Sequence, residues 1–339
     1  MDETKDRRLR LFSGARFSSA IFCNGDYGGG QGASFAYFSG CNVDGSYLVL
    51  KRKGGVLLAH EMNFQQAREE SGYPVMLMGR KNAAQLLKMA AGRGKVGFAP
   101  GEMSAARYLA LRKRVGLRLA DAGEKVEEVR GRKSGEEMRK LSAAAKVTRK
   151  ILNTLNPWQF STEAKLAAHL KIAALQAGGE IAFDPVVATG KNSRLPHHRY
   201  TKKKLENFVL VDFGVKMDGY CADMTRCYFR GKCKEERGAY AKCRKIHGEI
   251  LKALPKCKTG KDVALLSEKL LKKYGLPPLI HSIGHGIGMD VHEYPHLGSA
   301  SKDRLERAAL AIEPAAYFSR FGVRYEGMVQ NRKGKWTEI

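Results

Sequence analysis

An aspartate inside an apolar run constrains this chain more than any other feature. Asp212 directly follows Phe-Val-Leu-Val at 208–211, a stretch with the composition of a buried strand. A turn at Asp218-Gly219 separates it from a second run that carries Asp223. Residues an odd distance apart across an even-length turn share one face, so both carboxylates are expected on the same side of one hairpin. An ordinary turn or edge position would suit Asp218 but not Asp212. Two close carboxylates need a counter-charge, and a divalent cation is the simplest one.

Histidines gather in a glycine-rich stretch from 281 to 296. The small residues around His285 let backbone and ligands approach it closely. The sequence Gly-His-Gly-Ile-Gly at 284–288 lacks the spacing of a dinucleotide loop. The stretch Gly28–Gly32 lacks the Gly-Lys-Ser/Thr of a phosphate loop and is expected to be a flexible loop. Six of the nine histidines form the cluster: His197, His198, His281, His285, His292 and His296.

Two glutamates occupy strand-like apolar settings near the C-terminus. Glu313 follows Leu-Ala-Ile, and Glu326 follows Val-Arg-Tyr. Each alone would pass as a strand-edge residue. Together with the two aspartates and one histidine they make a set of four carboxylates and an imidazole. Such an oxygen-rich set suits two divalent ions such as Mn, Co, Fe or Zn, and does not resemble a thiolate site.

The length of 339 residues exceeds the size at which single cores stop growing, so two domains are expected. The polar segment 121–131 indicates the boundary, which gives domains of 1–127 and 128–339. Mixed helices and hairpins predict an α+β fold in the second domain. The predicted helices start at the capping box Ser134–Glu137 and near 161, 236 and 261. The predicted strands lie at 34–39, 46–51, 56–59 and 205–229, and again from 280 onward.

The charge balance is strongly basic, with 60 Lys and Arg against 34 Asp and Glu, a formal charge of +26. Such a field attracts polyanions. The clusters Lys51–Lys53 and Lys202–Lys204 have no interleaved aromatic residues, so incidental polyanion binding is expected rather than a specific nucleic-acid function.

The cysteines and the apolar runs point to a cytoplasmic protein. The seven cysteines form no CxxC pair and are expected to be reduced thiols. No apolar run approaches the roughly 18 residues that a membrane helix needs. The charged start of the sequence does not resemble a signal peptide.

Five short motifs carry a resemblance to a known superfamily. They are VDFG with Asp212, ADMTR with Asp223, HSIGHGIG with His285, IEPAAY with Glu313 and VRYEG with Glu326. The chain resembles the creatinase/methionine-aminopeptidase superfamily with the "pita-bread" fold, in the branch of Xaa-Pro aminopeptidases and Xaa-Pro dipeptidases (prolidases). The resemblance is strongest from 183 to 326. It implies a smaller creatinase-type α/β N-terminal domain before a pita-bread metallopeptidase domain.

The resemblance implies a role for each candidate ligand. Asp212 would chelate one metal ion, Asp223 and Glu326 would bridge two ions, and His285 and Glu313 would complete the coordination of the second ion. A hydroxide between the ions would be the nucleophile. Glu313 is also the implied catalytic base.

The resemblance also assigns catalytic histidines. His197, directly after Leu195-Pro196, matches a substrate-contacting histidine, with His198 as the alternative. His281 and His292 match two imidazoles that hold the substrate and the oxyanion. Thr225 and Arg324 lie where groups orient the bridging carboxylates.

Four residues depart from the family pattern. Ala315 stands where the family often has Gly, and Gly327-Met328 stands where it often has Asp-Thr. His296 follows Pro295, where prolidases often carry an Arg for the dipeptide carboxylate. The missing Arg favours aminopeptidase over dipeptidase action.

The expected function is therefore removal of the residue before a proline at position two, by a dinuclear metal-dependent aminopeptidase. A proline nitrogen has no N–H and a fixed φ, so a dedicated pocket is needed. An Xaa-Pro dipeptidase is the main alternative; creatinase-like chemistry, a methionine aminopeptidase and a non-catalytic protein that binds RNA or protein remain others. The expected partners are peptides with proline at position two and a second copy of the chain in a homodimer, with no membrane and no specific nucleic acid.

Overall fold

A computed structural model describes residues 3–25 and 32–339 of the chain. Most of the glycine-rich stretch Gly28–Gly32, predicted to be a flexible loop, lies outside the described residues. The chain divides into two compact units, Met1–Arg130 and Gly131–Ile339. In the described part of the chain, no helix has both the length and the apolarity that crossing a bilayer requires.

The first unit is built on one six-stranded sheet in the order β4-β3-β2-β1-β5-β6. Strand β2 pairs antiparallel with β1 and with β3. Strands β4, β5 and β6 pair in parallel with β3, β1 and β5, respectively. The strands are β1 (Ser19–Cys23), β2 (Tyr47–Lys51), β3 (Gly54–Ala59), β4 (Val75–Leu77), β5 (Lys95–Phe98) and β6 (Arg118–Asp121). The helices are α1 (Glu3–Phe12), α2 (Ala33–Ser39), α3 (Glu61–Glu70), α4 (Ala83–Ala91), α5 (Ala105–Leu109) and α6 (Gly123–Gly131).

The predicted strand at 34–39 is wrong, because these residues form helix α2. Short apolar runs do not distinguish a strand from a buried helix by periodicity. Gly40 ends the helix in the left-handed conformation, with φ of 80°, and its N–H donates to Ala36 O. The strands predicted at 46–51 and 56–59 are present as β2 and β3.

Most of the polar segment at 121–131 is helical, as α6. Helix α6 buries Val126 and Val129 at helical spacing. The predicted boundary between 127 and 128 therefore falls inside this helix.

The second unit mixes long helices with antiparallel hairpins. Its helices are α7 (Gly135–Thr154), α8 (Glu163–Gln176), α9 (Lys234–Ala253) and α10 (Gly260–Lys273). The predicted capping box starts α7: Ser134 Oγ accepts from the Glu137 N–H, and the Glu137 carboxylate accepts from the Ser134 N–H.

The strands of the second unit form four sheets. The orders are β12-β9-β8, β14-β13-β15-β18-β19, β11-β10-β7 and β16-β17. The strands are β7 (Glu180–Ile181), β8 (Val186–Thr189), β9 (Phe208–Phe213), β10 (Val215–Met217), β11 (Tyr220–Cys221), β12 (Met224–Phe229), β13 (Gly284–Gly286), β14 (Glu293–His296), β15 (Ala309–Ile312), β16 (Ala315–Tyr317), β17 (Gly322–Arg324), β18 (Gly327–Arg332) and β19 (Lys335–Glu338).

Strand β9 is covered on both faces. Leu210 packs with residues of α9 and α10, whereas Val209 and Val211 pack with residues of α7 and α8. Successive side chains of a strand point to opposite faces, so the sheet is enclosed by helices on both sides. The predicted α+β architecture of this unit is confirmed.

Six of the seven cysteines are buried, and Cys257 is partly exposed.

Candidate metal centre

The β9–β12 hairpin positions the two aspartates. Asp212 lies opposite Thr225 in the ladder, and Asp223 comes two residues before Thr225 on the same face. The neighbours Val211 and Phe213 are fully buried, so Asp212 is anchored within a packed strand. The shared face expected from the odd spacing is what the register produces.

Strand β13 places the His285 imidazole near the carboxylates of Asp223 and Glu326. His285 Nε2 lies 3.6 Å from Asp223 Oδ2 and 3.9 Å from Glu326 Oε1. The three residues are buried, and one ligand atom of each lies within 4.8 Å of the others. Gly284 lets β13 pack closely against β15, because a Cβ at this position would lie 2.1 Å from Ala311 O.

Glu313 completes the group from the end of β15. Its N–H donates to Ile283 O at 2.8 Å, and its Oε2 lies 3.6 Å from His281 Nδ1. A cavity of about 690 Å³ is lined by all five predicted ligands. The structure thus brings these five side chains to one place: Asp212, Asp223, His285, Glu313 and Glu326.

Burial and neighbouring charges shift the pKa values of Asp223, His285, Glu313 and Glu326. Burial, followed by repulsion from neighbouring carboxylates, raises the pKa of Asp223 and of Glu313 well above the usual range. Burial and the charge of Asp212 raise the pKa of Glu326 to about 7. Burial lowers the pKa of His285 to about 3, so its imidazole is neutral and able to bind a metal.

Two oxygens show that the residues fit a cation. Asp212 Oδ1 and Asp223 Oδ1 are buried and accept no hydrogen bond from any described residue. A buried carboxylate oxygen without a donor is costly, and a cation would satisfy both atoms. The donor set of carboxylates and one neutral imidazole is the set that divalent Mn, Co, Fe or Zn accepts.

A buried arginine supports the carboxylates. Arg324 donates from Nη2 to Asp212 Oδ2 at 2.7 Å and from Nε to Thr225 Oγ1 at 2.8 Å. Thr225 Oγ1 in turn donates to Glu326 Oε2 at 2.7 Å. Arg324 Nη1 also donates to the hydroxyl of Tyr317 at 2.9 Å. These bonds fix the orientation of Asp212 and Glu326.

Three predicted histidines line the same cavity. His281 Nδ1 lies 2.7 Å from Ser282 O, and its Nε2 lies 3.0 Å from the Tyr317 hydroxyl. The His292 ring lies edge-on to the His285 ring, with centroids 4.1 Å apart. His197 lies on the cavity wall with both.

The other two histidines of the cluster have different surroundings. His198 Nε2 lies 3.0 Å from Glu163 Oε2, although part of the residue also reaches the cavity. His296 Nδ1 lies 2.9 Å from Asp303 Oδ2, and His296 does not line the cavity.

The departures from the family pattern have a structural context. Ala315 is buried and pairs with Arg324 between β16 and β17. A Cβ on Gly327 would lie 3.1 Å from His247 Nε2, so a larger residue would need His247 to move. Met328 places its Sδ 3.4 Å from the Asp223 N–H.

Sequence reasoning missed two residues of the site. Tyr317 is the last residue of the motif IEPAAY, and its hydroxyl contacts both His281 Nε2 and Arg324 Nη1. Arg199 is an exposed cation on the cavity wall. The adjacent His197-His198 pair was the signal that could have drawn attention to Arg199.

Comparisons with known proteins agree with this geometry. The model of metallopeptidase family M24 matches residues 136–332, and that of the creatinase/prolidase N-terminal domain matches 9–131. A Mycoplasma pneumoniae relative, provisionally named an Xaa-Pro aminopeptidase, is 33% identical over 62% of this chain. The match spans 63% of that relative's length, which is less than two thirds.

A second relative and a solved structure cover more of the chain. The Xaa-Pro dipeptidase of Pyrococcus furiosus is 26% identical over 86% of each chain. The crystal structure of an X-Pro aminopeptidase from Thermotoga maritima superposes with a TM-score of 0.85 at 24% identity, over 98% of this chain and 97% of that one. At this identity the superposition shows the fold alone. The fold is that of a creatinase-type domain followed by a pita-bread domain, as predicted.

Proposed function

The chain belongs to metallopeptidase family M24, and we propose that it is a metal-dependent aminopeptidase that releases the N-terminal residue from peptides with proline at position two. The observation that carries the proposal is the convergence of four carboxylates and one neutral imidazole on one cavity. Protonation and the Arg324 guanidinium offset only part of the cost of burying four carboxylates together, and a bound cation would offset more of it.

The proposed ligands are Asp212, Asp223, His285, Glu313 and Glu326, and they would hold two divalent ions, with manganese, cobalt, zinc and iron as candidates. When bound, such ions lower the pKa of water and polarise a carbonyl group.

Glu313 is suited to move a proton. Its carboxylate lies on the cavity wall, with Oε2 3.6 Å from His281 Nδ1, where it can contact a water molecule beside the substrate carbonyl. It would take the proton from the attacking water at its carboxylate oxygen and deliver it toward the proline nitrogen that leaves.

The histidines would hold the substrate. Burial lowers the pKa of His281, which keeps the ring neutral at pH 7. Its Nδ1 position against Ser282 O and its Nε2 position against Tyr317 fix the ring plane. His292 and His197, on the same wall, would donate hydrogen bonds to the carbonyl oxygen as negative charge develops there.

The remaining cavity wall suits a proline. Phe183, Pro185 and Val291 offer apolar surface for a pyrrolidine ring, which has no N–H to satisfy. The carboxylates at the centre would form ion pairs with the protonated α-amine of the substrate. The substrate therefore needs a free N-terminal amine.

A second candidate function is that of an Xaa-Pro dipeptidase. Arg199 on the cavity wall is a cation within reach of a substrate carboxylate, which a dipeptide places next to its proline. The Pyrococcus furiosus relative is named an Xaa-Pro dipeptidase, which supports the same candidate. A homodimer and a cytoplasmic location stay predictions.

Turnover of short peptides tests the proposal. Metal-loaded protein should cleave Xaa-Pro-Yaa tripeptides before proline, should lose activity with a chelator, and should not cleave the N-acetylated peptide. Cleavage of Xaa-Ala-Yaa at the same rate, or no cleavage of any Xaa-Pro peptide with each of the four metals, would overturn it.

A further inference from the structure

Glu163 is a fully buried acid outside the metal centre. It is the first residue of α8, and its carboxylate accepts hydrogen bonds at both oxygens. Oε1 accepts from the Thr189 N–H and from Asn192 Nδ2, both at 2.9 Å. Oε2 accepts from the N–H and hydroxyl of Thr201, at 2.9 and 2.7 Å, and lies 3.0 Å from His198 Nε2. A buried carboxylate is tolerated only with such partners.

All these partners belong to one segment, residues 189–201, which we call the His197 loop. Thr189 and Asn192 lie at its start, and His198 and Thr201 lie at its end. Backbone bonds reinforce the second attachment: the Ala164 N–H donates to Thr201 O at 2.9 Å. One side chain therefore holds both ends of the His197 loop.

The charge state of Glu163 favours this arrangement. Burial alone would raise the pKa of Glu163, but hydrogen bonds from His198, Thr189, Thr201 and Asn192 lower it overall. The N-terminus of α8 also favours a negative charge at this position. Glu163 is thus an anion whose carboxylate accepts hydrogen bonds from residues at both ends of the His197 loop.

The loop carries a residue of the cavity wall. His197 is the candidate substrate-contacting imidazole and lines the cavity with His281 and His292. Its neighbour His198 is bound to Glu163. Glu163 itself does not line the cavity. Any effect of Glu163 on the metal centre therefore acts through the position of the His197 loop.

We propose that Glu163 is a positioning residue that fixes the His197 imidazole over the metal centre by holding both ends of the His197 loop. This rests on the proposed function, because His197 needs a substrate to act on. A displacement of about 1 Å in a group that contacts the reacting atoms can cost roughly 100-fold in rate. A purely structural role would instead lower stability without a special relation to His197.

A double-mutant cycle separates the two roles. Glu163→Gln keeps the size of the side chain but removes its charge and presents an N–H₂ to donors of the loop. We expect kcat for an Xaa-Pro-Yaa peptide to fall roughly 10- to 100-fold with little change in KM. In a His197→Ala background the same change should alter kcat by less than about twofold, because the group that Glu163 positions is absent. Full additivity of the two losses, or an unchanged kcat in Glu163→Gln, would overturn the proposal.

Hydrogen exchange supplies a readout that is independent of turnover. In metal-free protein, Glu163→Gln should speed amide exchange in residues 189–201 and leave the β9–β12 hairpin unchanged. Equal acceleration in both segments would indicate general destabilisation and would contradict a positioning role. Glu180→Gln, an exposed acid after α8, is the matched control and should change neither exchange nor kcat.

A less disruptive substitution, His198→Gln, tests the same proposal if Glu163→Gln does not fold. His198→Gln removes one of the five contacts and should lower kcat in the same direction by a smaller factor, again only when His197 is present. If His198→Gln lowers kcat equally with and without His197, the proposal fails. If the wild-type protein cleaves no Xaa-Pro peptide but Glu163→Gln still speeds amide exchange in residues 189–201, the proposed function alone is refuted.

Discussion

Arg324 and Asp212 form a buried ion pair at the edge of the candidate metal centre, with 2.7 Å between Nη2 and Oδ2. The guanidinium also binds Thr225 and Tyr317. It thereby supplies positive charge to a site where four carboxylates meet, and it orients one of them. This pair connects the stability of the second unit to the chemistry of the centre.

Removing this guanidinium should destabilise the second unit. Arg324→Gln leaves Asp212 as a buried charge without its partner, so the free energy of unfolding should fall by about 3 kcal/mol or more. Arg320→Gln breaks an exposed pair with Glu235 and should change it by less than about 1 kcal/mol. Urea unfolding can be followed by tryptophan fluorescence, since Trp158 and Trp336 both lie in the second unit. Equal losses in the two variants would contradict the role of the pair.

Metal binding should stabilise the protein more as pH rises. The raised pKa values of Asp223, Glu313 and Glu326 mean that the metal-free fold binds more protons than the unfolded chain above the usual carboxyl range. Stability of the metal-free protein therefore falls as pH rises from about 4.5 through about 7. A bound cation offsets that loss. The difference in Tm between metal-loaded and metal-free protein should grow from pH 5 to pH 8, and a constant or shrinking difference would argue against carboxylate ligands.

His247 should make the second unit acid-sensitive independently of the metal. It is buried, and burial lowers its pKa to about 4. The unfolded chain binds the proton first, so stability is lost as pH falls from about 6.5 toward 4. In chelator, His247→Asn should reduce the loss in unfolding free energy between pH 7.5 and pH 5 by about 2 kcal/mol. The exposed His60→Asn should leave that loss unchanged; a His247 variant that also leaves it unchanged would show that the imidazole is not held neutral.

Arg199 should distinguish dipeptides from longer peptides. If its guanidinium binds the carboxylate of an Xaa-Pro dipeptide, Arg199→Ala should raise KM for the dipeptide by roughly tenfold or more. The KM for an Xaa-Pro-Yaa amide, which lacks that carboxylate, should not change. Arg194→Ala provides an exposed arginine of the same loop that does not line the cavity. Equal effects on both substrates would remove Arg199 from dipeptide recognition.

Local sequence patterns predict the part of the candidate site that lies on one hairpin. The shared face of Asp212 and Asp223 follows from the alternation of side chains in a hairpin, and the register of β9 with β12 produces it. The helix that begins after Ser134 follows from its capping box, which is complete within four residues. Such features depend on neighbours in sequence, so they can be predicted without tertiary contacts.

Other features depend on contacts between distant segments. The Glu163 carboxylate contacts the His198 imidazole across 35 positions of sequence, and no local sequence pattern at either residue predicts this contact. The aromatic run at 34–39 is helical because Gly40 ends it and tertiary packing buries its rings, whereas its composition suits a strand equally well. The roles of Tyr317 and Arg199 become visible only when the cavity is assembled.

The metal content of purified protein tests the central claim most directly. After loading with manganese and dialysis, the wild-type protein and His292→Ala should each retain about two ions per chain, with turnover of the His292 variant lowered roughly 10²- to 10⁴-fold. His285→Ala should lose metal and activity together, because its imidazole is a proposed ligand. A wild-type protein that retains no divalent ion with any of the four candidate metals, or a His285→Ala variant that retains as much as the wild type, would contradict the account.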